Sequence, residues 1–204
     1  MKILHISASP RGEDSNTWWL AQQIIAQLRS RVAGAELTVR DLHATPVAHI
    51  DAGYADALGS RFEPDPSVSA SGSLALSERL IGEVEAADCL VIGTPMHNYT
   101  VPSSLKAWID HVVRVRRTFA ITPDGKVGLL RERPVYVGVV SGGGFSGAQA
   151  QQPDFLTPYL KVALATIGLH DLRFFTMERL AAGEQVIRAE RERVSTAMRQ
   201  ADFF

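Results

Sequence analysis

The chain has 204 residues, 46% of them apolar, with a formal net charge of −1. That size and apolar content allow one substantial core, and no seam divides the sequence, so a single domain over residues 1–204 is expected. The balanced charge lacks the basic stripe of a nucleic-acid binder and the strongly acidic face of a small docking electron carrier, so no nucleic-acid partner is expected.

The chain opens on Lys2-Ile3-Leu4-His5-Ile6-Ser7, a short run read as a buried strand. A signal peptide would need a longer apolar stretch at this end, and none is expected. The run breaks into Ala8-Ser9-Pro10-Arg11-Gly12-Glu13-Asp14-Ser15-Asn16-Thr17, and a helical stripe follows over residues 18–31 through Leu20, Ile24, Ile25 and Leu28. Ser15, Asn16 or Thr17 can cap that helix, and Gly34 closes it. Residues 37–42 (Leu-Thr-Val-Arg-Asp-Leu) alternate as a second strand. Residues 46–71 are irregular, with a short helix expected over 51–58 and surface loop elsewhere. A second long helix is read over 74–86. It leads into Asp88-Cys89-Leu90-Val91-Ile92-Gly93-Thr94, apolar on both sides and hence a central parallel strand. Cys89 is the only cysteine, which excludes an intrachain disulfide and makes the cytoplasm the expected location.

Pro95-Met96-His97-Asn98-Tyr99 ends this strand, and a helix is read over 103–114. The fourth strand is read over 133–140 and opens into Ser141-Gly142-Gly143-Gly144. A helix over 155–167, a fifth strand over 169–176 and a charged helix over 184–199 complete the chain. No apolar run approaches the roughly twenty residues of a membrane span, so no membrane partner is expected. Strands alternating with helices predict an α/β fold, a doubly wound five-stranded parallel sheet with helices on both faces. Ligands of such sheets lie beyond the carboxyl ends of the strands, where the strand order reverses.

The first, third and fourth strands all end in unusual loops that this sheet would bring to one edge. In the first loop Ser9, Ser15, Asn16 and Thr17 offer hydroxyls, an amide and the unpaired N–H groups of a helix start, with Arg11 adding positive charge. Such a turn favours a phosphate, although an ordinary helix cap has the same composition. The chain lacks the G-x-G-x-x-G fingerprint of dinucleotide sites and the lysine of a triphosphate loop. In the second loop Pro95 gives rigidity, Met96 and Tyr99 offer apolar contact for a flat ring, and Asn98 offers hydrogen bonds to a ring edge. The plainer reading is a turn around a core methionine, with His97 a surface residue. In the third loop Ser141 precedes three glycines, which let a backbone approach a ring closely and take positive φ; a flexible connection is the alternative.

Taken together, these loops resemble those of the FMN-dependent NADH:quinone oxidoreductases called azoreductases, of flavodoxin-like fold. The resemblance runs from the first strand to the last helix and includes Val39-Arg40-Asp41-Leu42, Pro95-Met96-His97-Asn98-Tyr99, Leu105-Lys106-Ala107-Trp108-Ile109-Asp110 and Thr157-Pro158-Tyr159-Leu160. It implies strand order 2-1-3-4-5 with FMN between strands one and three. Ser9 and residues 15–17 would hold the phosphate, and residues 96–99 and 141–144 would wrap the ribityl chain and ring. It further implies a homodimer with two interfacial sites. NADH or NADPH would reduce FMN, and a quinone or azo compound would then take the same place in a ping-pong scheme. His97 stands where many members carry an aromatic residue. Gly142 replaces an arginine common in relatives, and Phe145-Ser146 offers no histidine where relatives have one shortly beyond; His97 is the candidate stand-in.

The protein's share of the chemistry is orientation and electrostatics. The N–H groups of residues 142–144 are the expected stabilisers of charge on the reduced ring. No metal site and no obligate catalytic residue are expected, since water can protonate a hydroquinone. Phe119, Phe145, Phe155 and Tyr159 are candidate walls for a flat substrate, and Arg61 a candidate for the NAD(P)H phosphates. Lys2, Arg40 and Lys106 read as solvated charges or ion pairs. A flavodoxin-type carrier without NADH turnover, or a binding domain without flavin, are the alternatives on the same architecture.

Overall fold

A computed structural model describes residues 1–59, 71–148 and 150–203. Five parallel strands form its main sheet: β1 (Lys2–Ser7), β2 (Glu36–Asp41), β3 (Cys89–Pro95), β6 (Val135–Val140) and β7 (Leu172–Met177), in the order β2-β1-β3-β6-β7. Counting only these five in chain order, the arrangement is 2-1-3-4-5, as expected. A short antiparallel hairpin, β4 (Phe119–Thr122) and β5 (Gly125–Gly128), stands apart from the sheet. Six α-helices lie among the described residues: α1 (Asn16–Arg31), α2 (Ala52–Gly59), α3 (Gly72–Ala86), α4 (Ser103–Val112), α5 (Thr157–Thr166) and α6 (Glu184–Gln200). None is long and apolar enough to cross a membrane.

The alternation of strand side chains divides the core in two. Leu4, Ile6, Leu90, Ile92, Val135, Val137 and Val139 point to the face covered by Leu80, Val84, Leu105, Trp108, Leu160 and Leu164 of α3, α4 and α5. Ile3, Cys89, Val91 and Tyr136 point to the face covered by Leu20, Ile24, Ile25 and Leu28 of α1 and by Val194 and Met198 of α6. The central strands β3 and β6 are buried along almost their whole length. Burial of this kind on both sides is why they read as continuous apolar runs rather than alternating ones.

A pair of glycines sets how close α1 comes to the sheet. Gly93 of β3 and Gly138 of β6 are register neighbours. A Cβ at Gly93 would lie 3.2 Å from the Ala21 side chain, and one at Gly138 would lie 3.1 Å from Leu20. Because neither has a side chain, α1 sinks onto the sheet, and its first turn is held against the carboxyl end of β3.

Several boundaries differ from the sequence reading, each for a visible reason. Helix α1 begins at Asn16, because Ser15 is the cap: its Oγ accepts from Trp18 N at 3.0 Å. Helix α4 stops at Val112 rather than residue 114, where the Thr118 hydroxyl donates to Val112 O at 2.6 Å and accepts from Arg114 N at 2.9 Å. The fourth strand of the sheet starts at Val135, because the buried Arg133 guanidinium is turned away to the carbonyls of Val84, Glu85 and Ala87 at the end of α3. Helix α5 starts at Thr157, after the Asp154 carboxylate has taken the N–H groups of Leu156 and Thr157, each at 2.9 Å. Its following turn, with Gly168 at φ +98°, delays β7 to Leu172. The hairpin was not anticipated; its Pro123-Asp124 turn leads into Gly125 at φ +122°. Arg61 and the rest of residues 60–70 lie outside the described residues. Arg40 pairs with Glu83 and Lys106 with Asp110, so both are ion-paired charges.

Candidate functional site

Parallel register puts the ends of β1, β3 and β6 side by side: Ser7 lies beside Gly93, and Pro95 beside Val140. The three loops that follow therefore leave one edge within two strand spacings, about 10 Å. Hydrogen bonds connect them there. Ala8 N donates to Gly93 O at 2.9 Å, and Met96 N donates to Val140 O at 2.8 Å.

The first loop is a tight turn. Ser9 is buried; its Oγ accepts from Arg11 N at 3.3 Å and its carbonyl from Gly12 N at 3.2 Å. Ser15 Oγ donates to Gly12 O at 2.7 Å while capping α1. Thr17 is buried with its methyl toward Gly93, whereas Arg11 is exposed. Among the described residues the backbone N–H groups of Asn16 and Thr17 have no partner, as expected for the first turn of a helix. They are donors at the positive end of a 16-residue helix.

The second loop is strained. His97 and Thr100 exchange backbone hydrogen bonds of 2.9 and 3.0 Å, closing a two-residue turn with Asn98 at φ +47° and Tyr99 at φ +72°. Positive φ at both central positions is the type I′ pattern, which normally selects glycine at the second; tyrosine there costs about 1–2 kcal/mol. Strain of this kind persists where the surroundings over-determine it, as at ligand clamps. Met96 is half-buried against the core, while His97, Asn98 and Tyr99 are exposed. His97 and Asn98 line a pocket with Thr100, Ser103, Lys106 and Tyr159. Hydrogen bonds from its ammonium to the Asp110 carboxylate keep Lys106 above the usual lysine range, and burial pushes the Tyr159 phenol up.

The third loop departs from expectation in one respect: none of Gly142, Gly143 and Gly144 takes positive φ. What the turn requires is space. A Cβ at Gly143 would lie 2.3 Å from Gln152 Oε1, and one at Gly144 would lie 2.8 Å from Arg179 Nε. The backbone is held from behind, with Ser141 N donating to Met177 O, Arg179 N to Gly143 O and Ala181 N to Gly142 O. Past the glycines, the buried Glu178 carboxylate accepts from Phe145 N at 2.7 Å, Ser146 N at 3.0 Å and the Ser146 hydroxyl. The N–H groups of Gly142, Gly143 and Gly144 have no partner among the described residues. Three consecutive unpaired amides at a strand end are suited to an anionic or carbonyl-rich ligand edge.

Gln152 joins the second and third loops, its Nε2 donating to Ser141 Oγ and to the Met96 sulfur, both at 3.1 Å. Gln152 and Glu178 escaped the sequence reading. The only signal for Glu178 was a carboxylate closing a strand, and the loop amides it holds, at Phe145 and Ser146, lie more than thirty residues away. Of the candidate walls, Phe119 and Phe145 are core residues, Phe155 is exposed, and Tyr159 lines the His97 pocket. The edge therefore offers two sets of free backbone donors, a helix-start pair and a glycine trio. A phosphate at one end and a polar ring edge at the other fit them, and a mononucleotide carrying a flat ring has both.

Residues 1–200 match a protein-family model described as flavodoxin-like fold. The chain is 46% identical over 196 residues to FMN-dependent NADH:quinone oxidoreductase 4 of Pseudomonas fluorescens, covering 96% of this chain and 93% of that protein. It is 47% identical over 195 residues to FMN-dependent NADH:quinone oxidoreductase 2 of Cupriavidus pinatubonensis, covering 95% and 94%. Among solved structures, an FMN-dependent NADH-azoreductase from Bacillus anthracis, crystallised with FMN, superposes with a TM-score of 0.81 at 22% identity, over 98% of this chain and 99% of that one.

Proposed function

This chain belongs to the flavodoxin-like family of FMN-dependent NADH:quinone oxidoreductases, and from that premise we propose that it binds FMN and reduces quinones or aromatic azo compounds with NADH. One observation carries the reading: two groups of unpaired backbone donors, at Asn16–Thr17 and Gly142–Gly144, share one edge of the sheet with Met96 between them.

In this reading Ser9, Arg11, Asn16 and Thr17 hold the phosphate through side-chain donors, the α1 N–H groups and the helix dipole, while Ser15, whose hydroxyl proton goes to Gly12 O, holds the turn that presents them. Pro95, Met96, His97, Asn98 and Tyr99 wrap the ribityl chain and one side of the ring. Ser141, Gly142, Gly143 and Gly144 aim their N–H groups at its pyrimidine edge. FMN held there would supply the two-electron hydride chemistry between NADH and the acceptor. The Gly142–Gly144 amides, preorganised by Glu178 and by the turn at residues 177–181, offset negative charge that develops at the ring edge. They need no reorganisation during the reaction. No side chain is assigned as an obligate acid; His97, in the second loop, is the candidate for handling a product proton.

We further propose a homodimer working in the cytoplasm. Tyr99, Phe155 and Val162 are large exposed apolar side chains, and Phe155 N donates to Tyr99 O at 3.0 Å, which ties the first two to the edge of the site. A second copy covering this surface would close the open side of the ring. Light scattering on the purified protein should give a mass of two chains.

Steady-state NADH oxidation with a benzoquinone acceptor and added FMN tests the activity. Turnover that depends on both FMN and quinone is expected. A protein that binds FMN yet gives no direct turnover would be an electron carrier instead.

A further inference from the structure

The outermost helix α6 reaches back to the start of α1 through Arg191. Its guanidinium donates to Asn16 Oδ1 at 2.8 Å and lies over the Trp19 ring, 4.7 Å from the centroid. Among the described residues this is its only hydrogen bond; its Nε is buried without a partner, and it makes no ion pair. Among the described residues Arg40, Arg114, Arg117, Arg131, Arg173 and Arg193 each meet a carboxylate, whereas Arg191, like Arg116 and Arg133, meets only neutral oxygen. Arg191 is thus an uncompensated cation placed beside the positive end of a helix, where the dipole alone would disfavour it. Such a placement is stabilised when an anion joins the two.

A guanidinium has donors only, so the Asn16 atom facing it must be the carbonyl oxygen. That fixes the amide orientation and leaves both Nδ2 hydrogens free, on the same residue whose backbone N–H is unpaired. We propose that Arg191 is a positioning residue of the phosphate turn: it locks the Asn16 amide as a donor and supplies positive charge to the FMN phosphate dianion. The inference rests on the FMN reading above and adds to it a residue 175 positions from its partner. Stacking on Trp19 holds the guanidinium in place, so little side-chain freedom is lost when the phosphate arrives.

The test compares FMN with riboflavin, which has the same ring and no phosphate. Both are titrated by flavin fluorescence against the wild type, Arg191→Met and Asn16→Asp. Methionine keeps an apolar stem on Trp19, and aspartate gives Arg191 an internal anion while removing the amide donors. FMN affinity should fall about tenfold or more in both variants, the size expected for a lost charge-assisted contact, while riboflavin affinity stays within about twofold. The wild-type FMN affinity should also fall with added salt more steeply than that of Arg191→Met. Equal weakening of both ligands would make Arg191 a merely structural residue, and unchanged FMN affinity would remove it from the site; either overturns the proposal. Failure of FMN to bind the wild type would overturn the flavin reading itself, and this inference with it. Should Arg191→Met fail to fold by circular dichroism, Arg191→Gln, which removes the charge and keeps a polar stem, takes its place under the same criteria.

Discussion

His5 gives the sharpest stability prediction. It sits mid-strand in β1, fully buried, with neither ring nitrogen hydrogen-bonded and its ring 5.0 Å from that of Trp18 in the first turn of α1. Burial pushes its pKa from 6.5 down to about 4, against a smaller upward pull from the Asp41 carboxylate. The unfolded chain therefore takes up a proton near pH 6.5, while the folded chain refuses it until about pH 4. Folded stability is full above that window and falls as the pH drops through it. At about 1.4 kcal/mol per pH unit, the loss comes to about 3 kcal/mol, a large share of the stability of an ordinary domain. His5→Leu has similar bulk and cannot titrate. Urea denaturation across pH 7 to 4 should show the wild type losing about 3 kcal/mol more than His5→Leu. Parallel pH profiles for the two proteins would refute the argument, since every other titrating group is common to both.

Other consequences follow from the loops and the sheet. Glu178→Ala leaves the buried Phe145 N–H without its acceptor and should cost about 2–4 kcal/mol in urea denaturation, together with a tenfold or greater loss of FMN affinity. Glu178→Gln keeps an acceptor oxygen and should lose less than half as much; wild-type behaviour from the alanine variant would contradict the role given to Glu178. Adding a methyl at Gly93 or Gly138 should cost about 1–3 kcal/mol each, because the sheet side of α1 lies 3.1–3.2 Å from the new atom. Thermal melts of Gly93→Ala and Gly138→Ala check this, and unshifted midpoints would mean that α1 is not seated as described.

The fold was legible wherever the physics is local. Strands 89–95 and 135–140 are apolar on both faces because helices cover both, and the sequence carries that as unbroken apolar runs. The three loops were legible because serine, glycine and helix-start residues have few uses at strand ends. What stayed hidden depends on partners far along the chain. Nothing near Glu178 indicates that it will hold residues 145 and 146, and nothing near Arg191 points to Asn16. Of the two reasons given for the glycine loop, positive φ does not apply; residues 143 and 144 also need room for Gln152 and Arg179, which the sequence did not signal. The β4–β5 hairpin did leave a signal in Pro123-Asp124-Gly125, a turn sequence between two short runs; the strands are only four residues each, too short for periodicity to register.

The central claim is that the edge formed by residues 9–17, 95–99 and 141–144 cradles one FMN that NADH can reduce. A visible spectrum of the purified protein with FMN, followed by anaerobic addition of NADH, tests it most directly. The expected result is a flavin absorption band perturbed by binding that bleaches with one equivalent of NADH and returns when quinone is added. A protein that stays colourless after incubation with FMN, or whose bound flavin does not bleach with NADH, would contradict it.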